Sequence, residues 1–313
     1  MEEPVKIYPI VSPWGRFGLY SYFIDAPEPA IVDTGVAASP RDGLVPNLED
    51  LGRSIEDVRW ILLTHGHVDH LGGAAALREM TRNRAKIVLH RADVPLLRSR
   101  EAHIQQYIDV RQQYLDDPDG VEEQRSMMDR AISGEIEPDL SVEGGETISL
   151  GDVEVTVYSI PGHTAGSVAY VVEDSTAVFV GDAVQVHGAA NGFPGYEDPN
   201  AYKRSLLCLR DDIRPRTLYL GHPYRTAGGI PYDMELDANQ AAHAIQESLE
   251  IEAGVRKAVR QYLEGGLVQT DSPYSPFEPV ARQLGYTGDP ALEPSPFFTT
   301  MDGYRRTYES GEL

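Results

Sequence analysis

Over the first ninety positions, apolar residues come in short runs broken by turn residues, a length and period that suit strands more than helices. Gly18–Asp25 and Ala30–Asp33 read as two strands separated by Ala-Pro-Glu-Pro, a hairpin-like arrangement. Leu44–Gly52 then reads as a helix, Val58–Leu63 as a strand, Gly72–Met80 as a helix and Lys86–His90 as a strand. That alternation predicts a layered α/β fold. From Ala92 to about Ile136 the pattern changes. Leu96, Leu97, Ile104, Val110 and Tyr114 recur at helical spacing, and Val121–Ile132 predicts a further helix. Strands return at Glu146–Leu150, Val153–Ile160, Ser167–Val172 and Ala177–Val180. Arg204–Leu209 reads as a helix, Thr217–Leu220 as a short strand and Asp237–Leu263 as a long helix. The Pro-, Gly- and Tyr-rich tail beyond carries no period that assigns it. The organisation expected is a main domain over 1–232, with a helical insert at about 92–136, followed by a helical C-terminal extension over 233–313.

Composition narrows the functional classes. The chain has 313 residues, 41% hydrophobic and 24% charged, enough to bury a large core as one large domain or as one domain with an appendage. No apolar run approaches the roughly 18 residues of a membrane helix. The start, Met-Glu-Glu-Pro-Val-Lys, lacks the basic and apolar regions of a secretory signal. No membrane partner and a cytoplasmic location are therefore expected. The net charge is −22, from 27 Lys plus Arg against 49 Asp plus Glu. Such a field repels phosphate backbones, so no nucleic-acid partner is expected either. The single cysteine, Cys208 in Ser-Leu-Leu-Cys-Leu, excludes an internal disulfide and reads as a buried, inert thiol.

The chemistry concentrates in Leu63-Thr64-His65-Gly66-His67-Val68-Asp69-His70-Leu71-Gly72-Gly73. Three of the chain's nine histidines fall here, at the junction of a strand and a helix, where α/β folds carry function on loops. Imidazole nitrogens and a carboxylate at this spacing suit zinc, and also iron or manganese. Three later segments repeat the placement of a potential ligand at the end of a β run. They are Ile160-Pro161-Gly162-His163-Thr164-Ala165-Gly166, Phe179-Val180-Gly181-Asp182 and Tyr219-Leu220-Gly221-His222. Each alone is weak; the ordered set is specific. The sequence contains neither a Gly-x-Ser-x-Gly nucleophile elbow nor a P-loop.

On these motifs the chain resembles the metallo-β-lactamase-fold hydrolases, whose His-x-His-x-Asp-His signature is followed by separate His, Asp and His segments. The resemblance runs from about Tyr8 to His222 and includes Asp33-Thr34-Gly35, similar to the family's early turn. It implies an αββα metallo-β-lactamase sandwich as the catalytic domain, with two divalent metal ions, Zn2+ first and Fe or Mn as alternatives, at one edge. By position, His65, His67 and His163 would hold one metal and Asp69, His70 and His222 the other. Asp182 would bridge them, and Asp33 would orient a ligand from behind. The resemblance further implies a metal-generated hydroxide attacking a carbonyl, with Asp69 and Asp182 as the catalytic carboxylates and Asp69 or a water moving the proton.

The branch decides the substrate. Retention of His67 argues against the flavodiiron branch, and the close spacing of Asp182 and His222 leaves no room for the inserted domain of the nucleases. Glutathione-thioester hydrolases of glyoxalase II type place a basic residue in the loop after the bridging aspartate, where Asn191 stands here. The N-acylhomoserine lactonases place a tyrosine three residues after that aspartate; here it is Gln185. His187, Tyr196 and Tyr224 are candidates for the missing substrate contact. The expected substrate is therefore a small carboxylic ester or lactone, with a glyoxalase II-type thioester as the alternative. A mononuclear-iron persulfide dioxygenase, bound through His65, His163 and Asp182, is the other alternative. The helical insert is expected to cap the site or to form a homodimer interface.

Overall fold

Within the strands, apolar residues alternate between two buried faces, which dictates a layered structure with one shared interface between sheets. The computed structural model describes residues 5–14, 17–115, 118–173, 176–189, 192–290 and 295–313. The first sheet runs in the order β1 (Lys6–Trp14), β2 (Phe17–Asp25), β3 (Ala30–Val32), β4 (Trp60–Leu62), β5 (Lys86–His90), β6 (Leu140–Val142). β1 to β3 pair antiparallel, and β3 to β6 pair parallel. The second sheet comprises β7 (Thr147–Ser149), β8 (Glu154–Ser159), β9 (Val168–Val172), β10 (Ala177–Phe179), β11 (Thr217–Tyr219) and β12 (Glu235–Asp237). All its neighbours are antiparallel except β10 with β11.

The alternation is visible residue by residue. Val32, Leu62 and Val88 point inward and meet Val157, Tyr170 and Phe179 of the second sheet. Their neighbours Ile31, Ile61 and Ile87 point outward, under the helices α1 (Val45–Asp50), α2 (Val68–Leu71) and α3 (Ala74–Met80). The outer face of the second sheet, with Val171, Val178 and Leu218, is covered by α7 (Pro199–Cys208), α8 (Ala238–Gly265), α9 (Glu278–Leu284) and α10 (Pro296–Glu309). The result is an α/β sandwich with a C-terminal helical extension, whose helices share a core with the second sheet. The insert forms α4 (Val94–Arg98), α5 (Arg100–Tyr114) and α6 (Pro118–Ala131). Ile104, Met128 and Ala131 of this insert bury Val68, the residue between His67 and Asp69.

The structure departs from the sequence reading at identifiable places. The helix expected at Gly72–Met80 is two helices, because α2 already forms at Val68 and the chain breaks at Gly72-Gly73. The helix expected at Arg204 starts at Pro199, where the Asp198 side chain accepts from the amides of Asn200 and Ala201. β6 and β12, of three residues each, are too short to show a period in the sequence. Cys208 is half-buried rather than buried, and burial together with Asp212 raises its pKa, so the thiol is not activated. Asn191 lies outside the described residues. No helix among the described residues is long and apolar enough to cross a membrane.

Candidate metal centre

Five chain segments end at one edge of the sandwich. His65 and His67 follow β4, while Asp69 and His70 lie in the single turn of α2. His163 sits between β8 and β9, Asp182 follows β10 and His222 follows β11. The structure brings all seven together. His163 Nε2 lies 3.2 Å from His65 Nε2 and 2.8 Å from His67 Nδ1. His70 Nε2 lies 3.1 Å from His222 Nε2, which in turn is 3.0 Å from Asp69 Oδ2. Asp182 stands between the two groups. Its Oδ2 is 3.5 Å from His163 and 3.4 Å from His222, and its Oδ1 is 3.4 Å from His70. Three overlapping donor sets result, His65/His67/His163, His65/His70/Asp182 and Asp69/His70/His222, each with its ligand atoms within 4.8 Å of one another.

Hydrogen bonds behind the ring set fix which nitrogen faces inward. Asp33, held at φ 57° after β3, accepts from the Thr64 amide at 2.8 Å and the Thr64 hydroxyl at 2.7 Å. Its Oδ2 also lies 2.8 Å from His70 Nδ1, so that nitrogen carries a proton and Nε2 is the one that faces the site. The Thr64 hydroxyl, having given its proton to Asp33, accepts from His65 Nδ1 at 3.1 Å, with the same consequence for His65. His163 Nδ1 donates to Gly195 O at 2.7 Å. The lone pairs of His65 Nε2 and His163 Nε2 therefore face each other at 3.2 Å, which is repulsive without a cation between them. A tetrahedral Zn2+ with Zn–N of about 2.05 Å would separate its ligands by roughly 3.3 Å, close to what is observed. Asp182 Oδ1 is buried and has no hydrogen-bond partner among the described residues, as a metal ligand would. The donor set thus fits divalent metal.

The electrostatics divide the site. Burial, reinforced by the other imidazoles, pushes His65 and His67 well below the usual histidine range. At His70 burial acts in the same direction, but the Asp182, Asp33 and Asp69 carboxylates outweigh it and hold the pKa well up. His222 is likewise depressed by burial but raised overall to about 9 by Asp182 and Asp69. Asp69 and Asp182 resist the upward push of burial and stay low because these two imidazoles face them. The Asp69 and His222 side chains are partly open to solvent, at 18% and 15%, whereas His70 is at 1%.

The three substrate-contact candidates separate. Tyr224 is buried beside the cluster, with its ring edge-on to His222 and its hydroxyl toward Asp182; burial and the Asp182 charge hold its pKa well up. Tyr196 is a core residue. It is stacked on Tyr202 at 4.3 Å, its hydroxyl 3.1 Å from that of Tyr304, so it faces no open surface. His187 turns away to Glu247 of α8, at 3.1 Å, and borders a cavity of about 570 Å3 that no member of the cluster lines.

Several residues at the site carry no signal in the sequence. Gln185, standing where lactonases have tyrosine, is buried and donates from Nε2 to the carbonyls of Asp182 (2.8 Å) and Gly195 (2.5 Å). It therefore braces the loop instead of facing substrate. His103 of α5 is fully buried near Asp69, and burial lowers it to about 4. Asp93, at the N-cap of α4, holds two ligand loops at once. A lone Gln, His or Asp in such positions looks like ordinary packing or a helix cap.

A family model described as the metallo-beta-lactamase superfamily matches residues 14–222. A hydroxyacylglutathione hydrolase of Rhodopseudomonas palustris (strain BisB18) is 30% identical over 232 residues, covering 72% of this chain and 69% of that protein. A second, from strain HaA2, is 27% identical over 298 residues, covering 94% and 95%. Among solved structures, a metallo-beta-lactamase family protein from Thermus thermophilus superposes with a TM-score of 0.71 at 22% identity, covering 97% of this chain and 94% of the other. The matched span contains every donor from Asp33 to His222, and the chain belongs to the metallo-beta-lactamase superfamily, as a metallo-hydrolase.

Proposed function

We propose that the chain hydrolyses a small carboxylic ester or lactone at a pair of divalent metal ions, zinc being the first choice. His65, His67 and His163 hold one and Asp69, His70 and His222 the other, with Asp182 between them. The observation that carries this reading is the convergence of the His65, His67 and His163 ring nitrogens at 2.8–3.2 Å beside Asp182, whose buried Oδ1 has no hydrogen-bond partner among the described residues. Bound there, such metals lower the pKa of a water toward neutrality and polarise an acyl oxygen.

The chain's own groups supply the rest. Asp69, ionised and on the accessible rim, is placed to take a proton from the attacking water and pass it to the leaving oxygen. The Tyr224 hydroxyl, kept protonated by burial and by Asp182, can donate to the carboxylate or to a developing oxyanion. Asp33 and Thr64 keep His70 and His65 in the tautomer with Nε2 inward. The insert screens the ligand loop from water through Ile104 and Met128.

Between Asp182 and Tyr196 the sequence has no lysine or arginine to anchor a charged thiol carrier, which favours an ester or lactone. The relatives named hydroxyacylglutathione hydrolase favour the second reading, a thioester. A comparison of kcat/KM for aryl acetates, γ-lactones, N-acylhomoserine lactones and S-lactoylglutathione, with and without chelator, separates them. At least tenfold preference for an oxygen ester or lactone is expected. The reverse preference would replace the reading with the thioesterase, and chelator-resistant turnover would remove the metal from both.

A further inference from the structure

Asp93 does not do what its position in the chain suggests. It occupies the N-cap of α4, where an aspartate ordinarily accepts from the helix's own amides, yet its side chain makes no capping bond. The carboxylate reaches across to two loops from different sheets. Oδ2 accepts from the Gly66 amide at 2.7 Å and the Thr164 hydroxyl at 2.8 Å, and Oδ1 accepts from the Gly166 amide at 2.9 Å. Gly66 lies between His65 and His67; Thr164 and Gly166 closely follow His163. Asp93 is 3% exposed, so these bonds face little competition from water.

The glycines record the same arrangement. A Cβ on Gly166 would overlap the Asp93 carboxyl carbon, and one on Gly66 would come within 2.9 Å of Asp93 Cβ. At Gly166 the carboxylate itself excludes a side chain, and at Gly66 Asp93 does so together with Leu96, whose Cδ1 would lie 2.5 Å away. At their bases the two segments are joined by one backbone bond, Val168 N to Thr64 O at 2.9 Å. Asp93 adds the connection nearer the histidines.

We propose that Asp93 is a positioning residue that clamps the His65–His67 loop to the His163 loop, and so sets the geometry of the metal held by those three histidines. The inference rests on the metal-binding reading of that trio and is independent of the substrate. Without the clamp the trio belongs to two loops on separate sheets, and the 2.8 Å and 3.2 Å separations across them are no longer held. Supporting partners of metal ligands, when removed, typically lower metal affinity by about 10- to 100-fold.

The test measures stepwise Zn2+ affinity on metal-stripped, full-length protein by competition with a chromophoric chelator, with Co2+ absorption spectra as the geometric readout. Thermal unfolding of the metal-free protein is followed in parallel. Asp93→Ala is expected to weaken one of the two sites by about 10- to 100-fold and to alter one Co2+ band set, leaving the other site within about threefold. Asp93→Asn, which keeps one acceptor oxygen, should fall between. Thr164→Val, which removes the hydroxyl's bonds to Asp93 and to Ser167 within its own turn, should weaken the same site by several-fold and decides the matter if Asp93→Ala does not fold. Wild-type affinities and spectra in Asp93→Asn and Thr164→Val would overturn the proposal. So would equal weakening of both sites in proportion to lost thermal stability. Failure of the wild-type protein itself to bind Zn2+ would instead refute the metal-centre reading on which the proposal rests.

Discussion

Glu197 follows the loop that supports His163, and its charge state is open to direct test. Its amide donates to Gly162 O at 2.7 Å, its Oε1 accepts from Gln106 of α5 at 2.5 Å, and Arg306 of α10 bonds its carbonyl at 3.1 Å. Burial, aided by the nearby Asp93 charge and opposed by Gln106 and Arg306, raises the carboxyl from 4.5 to about 7. Because the folded pKa lies above the unfolded one, the folded state keeps this proton longer. The group's contribution is fully present below about pH 4.5 and is lost as pH rises through about 7. A shift of this size corresponds to about 3 kcal/mol; residual solvent contact reduces it to about 1–3 kcal/mol. Glu197→Gln keeps the bond to Gln106 through its amide oxygen and removes the titration. Urea unfolding of metal-stripped wild-type and variant protein at several pH values measures the difference. Near pH 4 the two should coincide, and by pH 8 the variant should be more stable by about 1–3 kcal/mol. A difference that does not change with pH would refute the reasoning.

Other expectations follow from single contacts. Asp33→Asn puts an amide where Asp33 now accepts from His70 and Thr64, and should weaken metal binding at Asp69/His70/His222 by about 10- to 100-fold in chelator competition. Tyr224→Phe removes the hydroxyl that faces Asp182. It should lower kcat by about tenfold or more with KM and metal content little changed; an unaltered kcat would exclude the role given to it. Glu252 is fully buried, bonded to Arg256 at 2.7 Å and to the Tyr304 hydroxyl at 2.9 Å. Arg256→Met should therefore destabilise by about 3–5 kcal/mol in urea unfolding, and adding Glu252→Gln should recover much of that loss.

The ligand segments were legible because each ends a strand whose apolar alternation is plain. Leu62 and Val88 face the inter-sheet core while Ile61 and Ile87 face the helices, so the chain direction delivers His65 and its partners to one edge. Less visible was everything held by tertiary contact. β12 is three residues long, and its one buried residue, Leu236, lies opposite Leu218 of β11. In the tail, α10 is fixed by Phe297, Phe298 and Met301 entering a core made by distant segments, and its Pro296 marks the start without predicting the helix. Tyr196 is near the site along the chain, but its ring belongs to the stack with Tyr202, which spacing in the sequence cannot reveal. Asp93 and Gln185 serve through loops far away in sequence, and a single polar residue announces no such partners.

The central claim is that two metals sit at the edge built from His65 to His222, and metal content per chain tests it most directly. Mass spectrometry on protein purified without added metal or nickel affinity should find about two divalent ions per chain, chiefly zinc. Asp182→Ala should retain its fold with about one ion or fewer and lose turnover. About one iron per chain, with oxygen uptake on thiol persulfides, would contradict the hydrolytic two-metal account. So would full turnover by wild-type protein shown to be free of metal.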